Sequence, residues 1–552
     1  MSQFLRVLSE RQLDKDTEDI RSDNQDTVMI GTTEITTLRN SLDAQILPEL
    51  RSLESSLQPI SRLPKEIFIL IPHYFGWKPD WEPGPYSHPT TNIPLIAMTH
   101  VCRSWRSTLL STPSLWTKID FSVSTNPQQA LEFLHRSSNQ LLDVFQNLES
   151  LYHLEPFLSI TLRNIHRLRS LEIYSSHPYV ENVLDKLTMS APELRYFAIS
   201  NDPDITRRDV GFPTTVFKGQ LPKLATLSLH YLRTNLRTFN FPCLTRFEFT
   251  TGTTMSVQDM TSFFERSPSL EFVQICLPYL SQPFAAPPRK RVQLTALREL
   301  RLDQTACVSG LLDHLTLPRC TEMMLKGQFT GETSDYYGFP AARIHPSSID
   351  YLPVTREITK AVAMPNSCIL SGPNGNLGLW CFEGRAREDF DAEFFTSLSP
   401  IDVLEIKELW VGHSTTSFFY PGPWLIDIAG VSGAFAALTR VEDLTVVGCN
   451  SEPFSSALGM TDADGGILLP ELQSLTIYVV FGDLDIEGLI RCAKTRKEHS
   501  RPFWRVTLVF RKEVAAKLIR EMRLLRKFVG EVDHRVGEAP TLIWKGVDRD
   551  DW

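Results

Sequence analysis

The sequence predicts an α/β protein, a short N-terminal helical module followed by a long repeat solenoid, and three observations carry the prediction. One is a recurring unit between Leu168 and Leu508: an apolar residue, two others, an apolar residue, one other, and a third apolar residue. Another is a pair of helical patterns between Leu63 and Leu109, punctuated by prolines. The last is size, because 552 residues exceed one ordinary core and call for several domains or a stacked architecture.

Residues 1–26 end in the polar run Glu18 to Asp26, which cannot bury enough apolar surface to offset the entropy of ordering, and a disordered tail is expected there. Residues 27–60 form a helical lead-in. Leu38, Leu42, Ile46, Leu50, Leu53 and Leu57 recur three or four apart, and Pro48 interrupts them. The interruption favours a helix packed on the next segment over a coiled coil, which needs unbroken heptads.

Pro64 suits a first helical position, where its missing N–H costs nothing, and Glu66 faces the positive end of the helix dipole. Ile67, Leu70, Ile71 and Tyr74 would share one face, with Pro72 expected to end or kink the helix at Ile71. After Pro94, the residues Met98, Val101, Cys102, Trp105 and Leu109 fall on the stripe of one second helix, which Pro113 stops. Two short helices cannot bury both apolar faces against each other, so another part of the chain or another protein must cover one of them.

The opening Leu63-Pro64-Lys65-Glu66-Ile67, the run Val101-Cys102-Arg103-Ser104-Trp105-Arg106 and the trailing Pro113-Ser114-Leu115-Trp116 resemble the F-box. Residues 61–121 are most similar to the F-box of proteins from mushroom-forming fungi. The resemblance implies a helical module that docks on the Skp-type adaptor of a Skp–cullin–F-box ubiquitin ligase. By the same resemblance, Leu63, Pro64, Ile67, Leu70, Val101, Cys102, Trp105, Leu109, Pro113 and Trp116 would carry docking or its packing.

The repeats occupy residues 122–552. Clear copies are Leu168-Leu171-Ile173, Leu194-Phe197-Ile199, Leu224-Leu227-Leu229, Leu244-Phe247-Phe249, Leu270-Val273-Ile275 and Leu297-Leu300-Leu302, starting 26, 30, 20, 26 and 27 residues apart. Later copies are Ile406-Leu409-Val411, Val441-Leu444-Val446, Leu472-Leu475-Ile477 and Phe503-Val506-Leu508, with Ile349-Leu352-Val354 and Leu377-Trp380-Phe382 as weaker candidates between. Each copy predicts a short strand with alternate side chains facing inward, followed by a helix or irregular return. Ser256 is placed to cap one such return, whose Val257, Met260 and Phe264 line one face before Pro268. The pattern resembles leucine-rich repeats. That family sets Asn or Cys three positions after the third apolar residue, where this chain has Leu232, Gly252 and Pro278 and only Cys449 fits, so the resemblance implies an irregular solenoid.

Chemical motifs are sparse. Gly372, Gly375 and Gly378 lack the Walker Lys-Ser/Thr and read as a turn. Asp462-Ala463-Asp464 hints at calcium, but the twelfth loop position is Gln473 where a bidentate Glu is needed. Arg289-Lys290-Arg291 and the basic helix of Lys517, Arg520, Arg523, Arg526 and Lys527 read as solvated charge, the second on a terminal capping helix. No HExxH or GxSxG stands in the chain, the nine cysteines form no CxxC pair, and the net charge of −9 asks for no nucleic acid. No signal peptide or membrane-length apolar run is present. The expectation is a non-catalytic, cytoplasmic or nuclear adaptor without cofactor or metal, its helical module on a Skp-type adaptor and cullin ligase, its solenoid on a protein substrate. The other open reading is a repeat scaffold that acts outside any ligase.

Overall fold

The computed structural model describes residues 63–74, 93–121, 127–147, 154–175, 180–201, 210–213, 215–251, 255–276, 291–303, 311–328, 350–364, 367–382, 401, 403–412, 428–448, 451–461, 465–479, 484–511 and 516–537, with isolated positions from 36 to 44. Of the lead-in helix, residues 36, 37 and 39–41 are helical. The tail lies outside the described residues. The chain divides into two compact units, one of Met1–Trp81, His88–Thr117 and Leu134–Ser138, the other of Glu82–Ser87, Lys118–Phe133 and Asn139–Trp552.

In the first unit, α1 spans Lys65–Tyr74, α2 Ile93–Thr99 and α3 Arg103–Leu110. Two expectations are corrected here. Pro72 lies inside α1, so the helix does not end at Ile71 but continues to Tyr74. The stripe from Met98 to Leu109 is two helices, because His100 and Val101 form a turn and Cys102 takes an extended conformation as the N-cap of α3. Its sulfur accepts from Trp105 N–H at 3.5 Å, so a thiol does the work usually given to Ser or Asp. The short 3-10 turn Pro113–Trp116 closes the unit, with Leu115 and Trp116 buried.

The second unit holds helices and one large mixed sheet, as the α/β class requires. Among the described residues the sheet has seventeen strands. They are β1 (Lys118–Asp120), β2 (Leu142–Asn147), β3 (Leu168–Ser175), β4 (Tyr196–Asn201), β5 (Thr226–His230), β6 (Arg246–Thr250), β7 (Phe272–Cys276), β8 (Glu299–Asp303) and β9 (Glu322–Gln328). They continue as β10 (Lys360–Met364), β11 (Ser367–Gly372), β12 (Gly375–Phe382), β13 (Glu408–Gly412), β14 (Asp443–Val447), β15 (Ser474–Val479), β16 (Arg505–Phe510) and β17 (Glu531–Val536). Strands β1 to β9 pair side by side in chain order, all parallel. β9 then pairs with β12, and the meander β12, β11, β10 leads through a parallel β10–β13 pairing into the ordered run β13 to β17. Only β11 runs against its neighbours.

The register explains the repeat. Leu171, Phe197, Leu227, Phe247, Val273 and Leu300 stand in one cross-strand row, and Ile173, Ile199, Leu229, Phe249, Ile275 and Leu302 in the next. All twelve are at most 1% exposed. Leu409, Leu444, Leu475 and Val506 form the equivalent row across β13 to β16. Each such side chain contributes roughly 1.5–3 kcal/mol by leaving water. Returns between strands behave as expected where helical: α4 (Val257–Glu265) has Ser256 Oγ accepting from Asp259 N–H at 3.1 Å and buries Val257, Met260 and Phe264.

The weaker copies are corrected. Leu352 and Val354 are buried but sit at a 3-10 turn, Pro353–Thr355, and form no strand; Ile349 lies outside the described residues. In β12 it is Leu377 and Leu379 that continue the two rows, paired with Met323 and Leu325, so the frame Leu377-Trp380-Phe382 is displaced. The true copies there are Cys320-Met323-Leu325 and Ile358-Ala361-Ala363, all at most 1% exposed. The glycine turn is a hairpin: Gly372 pairs Gly375 across Pro373 and Asn374. Gly375 has φ +127°, and a Cβ there would collide with the Thr321 carbonyl of the adjoining strand. The basic helix α6 (Ala516–Leu525) buries Met522 and Leu525 and leaves Arg520, Arg523, Arg526 and Lys527 exposed. It is not terminal, since β17 follows it. Asp462 and Asp464 lie outside the described residues, as do Arg289 and Lys290.

Candidate functional site

The first unit separates its sequence-predicted residues into two groups. Leu109 and Trp116 are fully buried, the Trp116 indole N–H donates to the Leu109 carbonyl at 2.9 Å, and the Arg136 guanidinium lies 4.6 Å from the Trp116 ring centre. Trp105 is half-buried and meets Phe68 edge to face, ring centres 4.8 Å apart. Cys102 and Pro113 are half-buried at helix starts. The other group faces water: Leu63, Ile67, Leu70 and Val101 are 38, 48, 49 and 59% exposed, with Pro64 exposed beside them. Helix α1 instead buries Phe68 and Pro72, the face opposite to the one its spacing suggested. Sequence reasoning missed Phe68. The Ile67, Leu70, Ile71 spacing pointed to the other face.

The second unit presents a different arrangement on the sheet face opposite the leucine rows. Alternation puts Glu172, Ala198, Ser228, Glu248, Gln274 and Arg301 in one cross-strand row there. Arg246 Nε donates to Glu248 Oε1 at 2.6 Å, and its guanidinium stacks 3.6 Å from the Phe272 ring centre. Arg301 bonds Glu299 at 2.6 Å, and Lys326 pairs with Asp303 at 3.2 Å. Ser228 Oγ donates to Glu248 Oε2 at 2.9 Å and contacts His230 Nε2 at 2.8 Å, while His230 Nδ1 meets Thr250 Oγ1 at 3.1 Å.

Serine, histidine and glutamate in contact invite comparison with a nucleophile triad, and the geometry answers it. A triad carboxylate orients the imidazole nitrogen remote from the serine. Here the carboxylate bonds the serine itself, and the remote nitrogen faces a threonine. Ser228 is only 1% exposed, so no acyl group reaches it. Burial pushes the His230 pKa down against the opposing pull of Glu248, leaving a neutral ring near pH 7. The cluster is a polar strut across β5 and β6. Glu172 differs from its neighbours. Burial, and then the like charge of Glu248, pushes its pKa up to about 7. Burial likewise holds the Tyr196 hydroxyl well above the usual phenol range, reinforced by Glu172 and Glu248.

Buried thiols offer no nucleophile, since burial pushes Cys276, Cys320 and Cys492 up to about 12. Among the described residues no group of three or more His, Cys, Asp or Glu could hold a metal, and no helix is long and apolar enough to cross a membrane. Neither a family model nor a curated protein matches the chain.

Proposed function

We propose that the chain is a substrate-recognition adaptor of a Skp–cullin–F-box ubiquitin ligase, its helical unit an F-box docking on a Skp-type adaptor and its strand-rich unit an irregular leucine-rich-repeat solenoid holding a target protein. The observation that carries the reading is the exposure of Leu63, Ile67, Leu70 and Val101, four positions to which the F-box resemblance assigns docking or packing. A helical unit this small that leaves four large aliphatics in water has apolar surface suited to a partner. The solenoid part is supported by the in-order, in-register stacking of β2 to β9 and β13 to β17, in which each copy shares its core with its neighbours. The adaptor itself performs no bond-making step in this reading.

The test mixes the full chain with a purified Skp-type adaptor and measures binding by calorimetry. Binding is expected, and Ile67→Asp with Leu70→Asp should weaken it at least a hundredfold while leaving the fold intact, because both side chains already face water. No binding by the wild type, or undiminished binding by a folded double variant, would overturn the assignment.

A further inference from the structure

The last strand of the sheet has a free edge. Among the described residues β17 pairs with β16, in parallel, and with no other strand. Glu531 N–H donates to the Trp504 carbonyl at 2.8 Å and Gly537 N–H to the Phe510 carbonyl at 3.0 Å, so the odd-numbered residues spend their backbone groups on β16. Alternation turns the N–H and C=O of Val532, His534 and Val536 the other way, into the row that a further strand would bond. The side chains are accessible as well. Glu531, Asp533, His534 and Arg535 are exposed, and Val536, although it stands beside the buried Phe510 in an inner row, is 58% exposed.

Charged edges turn most strands away. This one is complementary to itself. Antiparallel pairing of two copies must match the outward-facing, even-numbered residues with each other. Centring it on Asp533 or on Arg535 sets that charge against its own copy. Centring it on His534 sets Val532 against Val536 and Asp533 against Arg535, each twice by symmetry, and uses the whole stretch from Glu531 to Gly537. The Asp533 and Arg535 side chains then meet at the non-hydrogen-bonded positions, where cross-strand neighbours approach most closely.

We propose that the free edge of β17 receives β17 of a second copy of this chain, antiparallel and centred on His534, so that two sheets join into one. With about six backbone hydrogen bonds and two symmetric ion pairs, the contact is that of a weak, reversible dimer rather than an obligate one. The inference does not depend on what the helical unit binds.

Sedimentation velocity of the full chain over a dilution series reads the association directly, and the wild type is expected to shift reversibly between monomer and dimer. Asp533→Arg and Arg535→Asp, each of which places like charges in contact across the edge, should weaken the dimer at least tenfold. The double variant carrying both changes exchanges the charges and should restore association to within about threefold of wild type, which no merely structural effect of either change would do. His534→Pro removes an N–H that the monomer leaves unbonded and should abolish the dimer. Circular dichroism establishes that the variants are folded. The proposal is overturned if the wild type stays monomeric throughout the series, if the single charge changes leave the dimer intact, if their combination fails to restore it, or if a folded His534→Pro variant still dimerises.

Discussion

Arg496, on α5 (Ile486–Glu498), is fully buried, and its guanidinium donates to the carbonyls of Leu468, Leu469 and Leu472 at 2.9, 2.9 and 3.3 Å while lying over the Phe503 ring. Arg266 does related work upstream, bonding the Leu236 and Arg237 carbonyls. These arginines satisfy loop carbonyls between the strands that would otherwise be stranded away from water. Arg496→Ala strands three carbonyls and opens a void, so a loss of about 3–5 kcal/mol in urea unfolding is expected, and Arg496→Lys, lacking the fork, should recover less than half. Glu172 gives a pH signature. Its folded pKa, about 7, stands above the usual 4.5, so the stability linked to its proton is complete below about 4.5 and is lost as pH rises through 7. Glu248, Arg246, Tyr196 and His230 share its face and set the background. Glu172→Gln should therefore be more stable than wild type by about 1–3 kcal/mol at pH 8, with the difference vanishing near pH 4. Denaturation at a series of pH values checks this.

Helix α3 starts on a weak cap, because a thiol accepting at 3.5 Å is a poor substitute for a hydroxyl. Cys102→Ser keeps the size and supplies the favoured N-cap oxygen, so a gain of about 0.5–1 kcal/mol in chemical denaturation is expected, with Cys102→Gly nearly neutral. The break at His100 and Val101 has a further effect. One continuous helix would have put Val101 on the stripe with Trp105, whereas the turn moves it into water. Within the sheet, the β10 to β12 meander is the irregular element. It occurs where the repeat's large aliphatics give way to Ala361, Ala363 and the crowded Gly375.

The two units draw on separate stretches of chain, except for residues 82–87 and 134–138. Parallel strands that pair only with neighbours spread their stability locally, so changes in one stretch should leave distant strands protected. Deleting Leu63 to Leu110 is expected to preserve slow amide exchange from β3 to β16 while removing adaptor binding. Hydrogen exchange followed by mass spectrometry reads this directly. Loss of protection throughout would mean that the chain folds as one cooperative whole.

The α/β class, the strand positions and the inward rows were legible in the sequence wherever Leu, Ile, Phe or Val repeated at the same spacing, because a strand's two-residue alternation turns that spacing directly into one buried face. Where Cys320, Ala361 and Ala363 filled the same places, the small side chains weakened the signal and the strands went unread. The helical module was legible as residues but not as surfaces. Spacing put Ile67 and Leu70 on an apolar face, and only tertiary packing decided that Phe68 and Pro72 turn inward and leave those two in water. The polar face was out of reach altogether. Ser228 meets Glu248, twenty residues away, only once the sheet forms, because parallel pairing brings distant stretches side by side while recording nothing of it in local sequence.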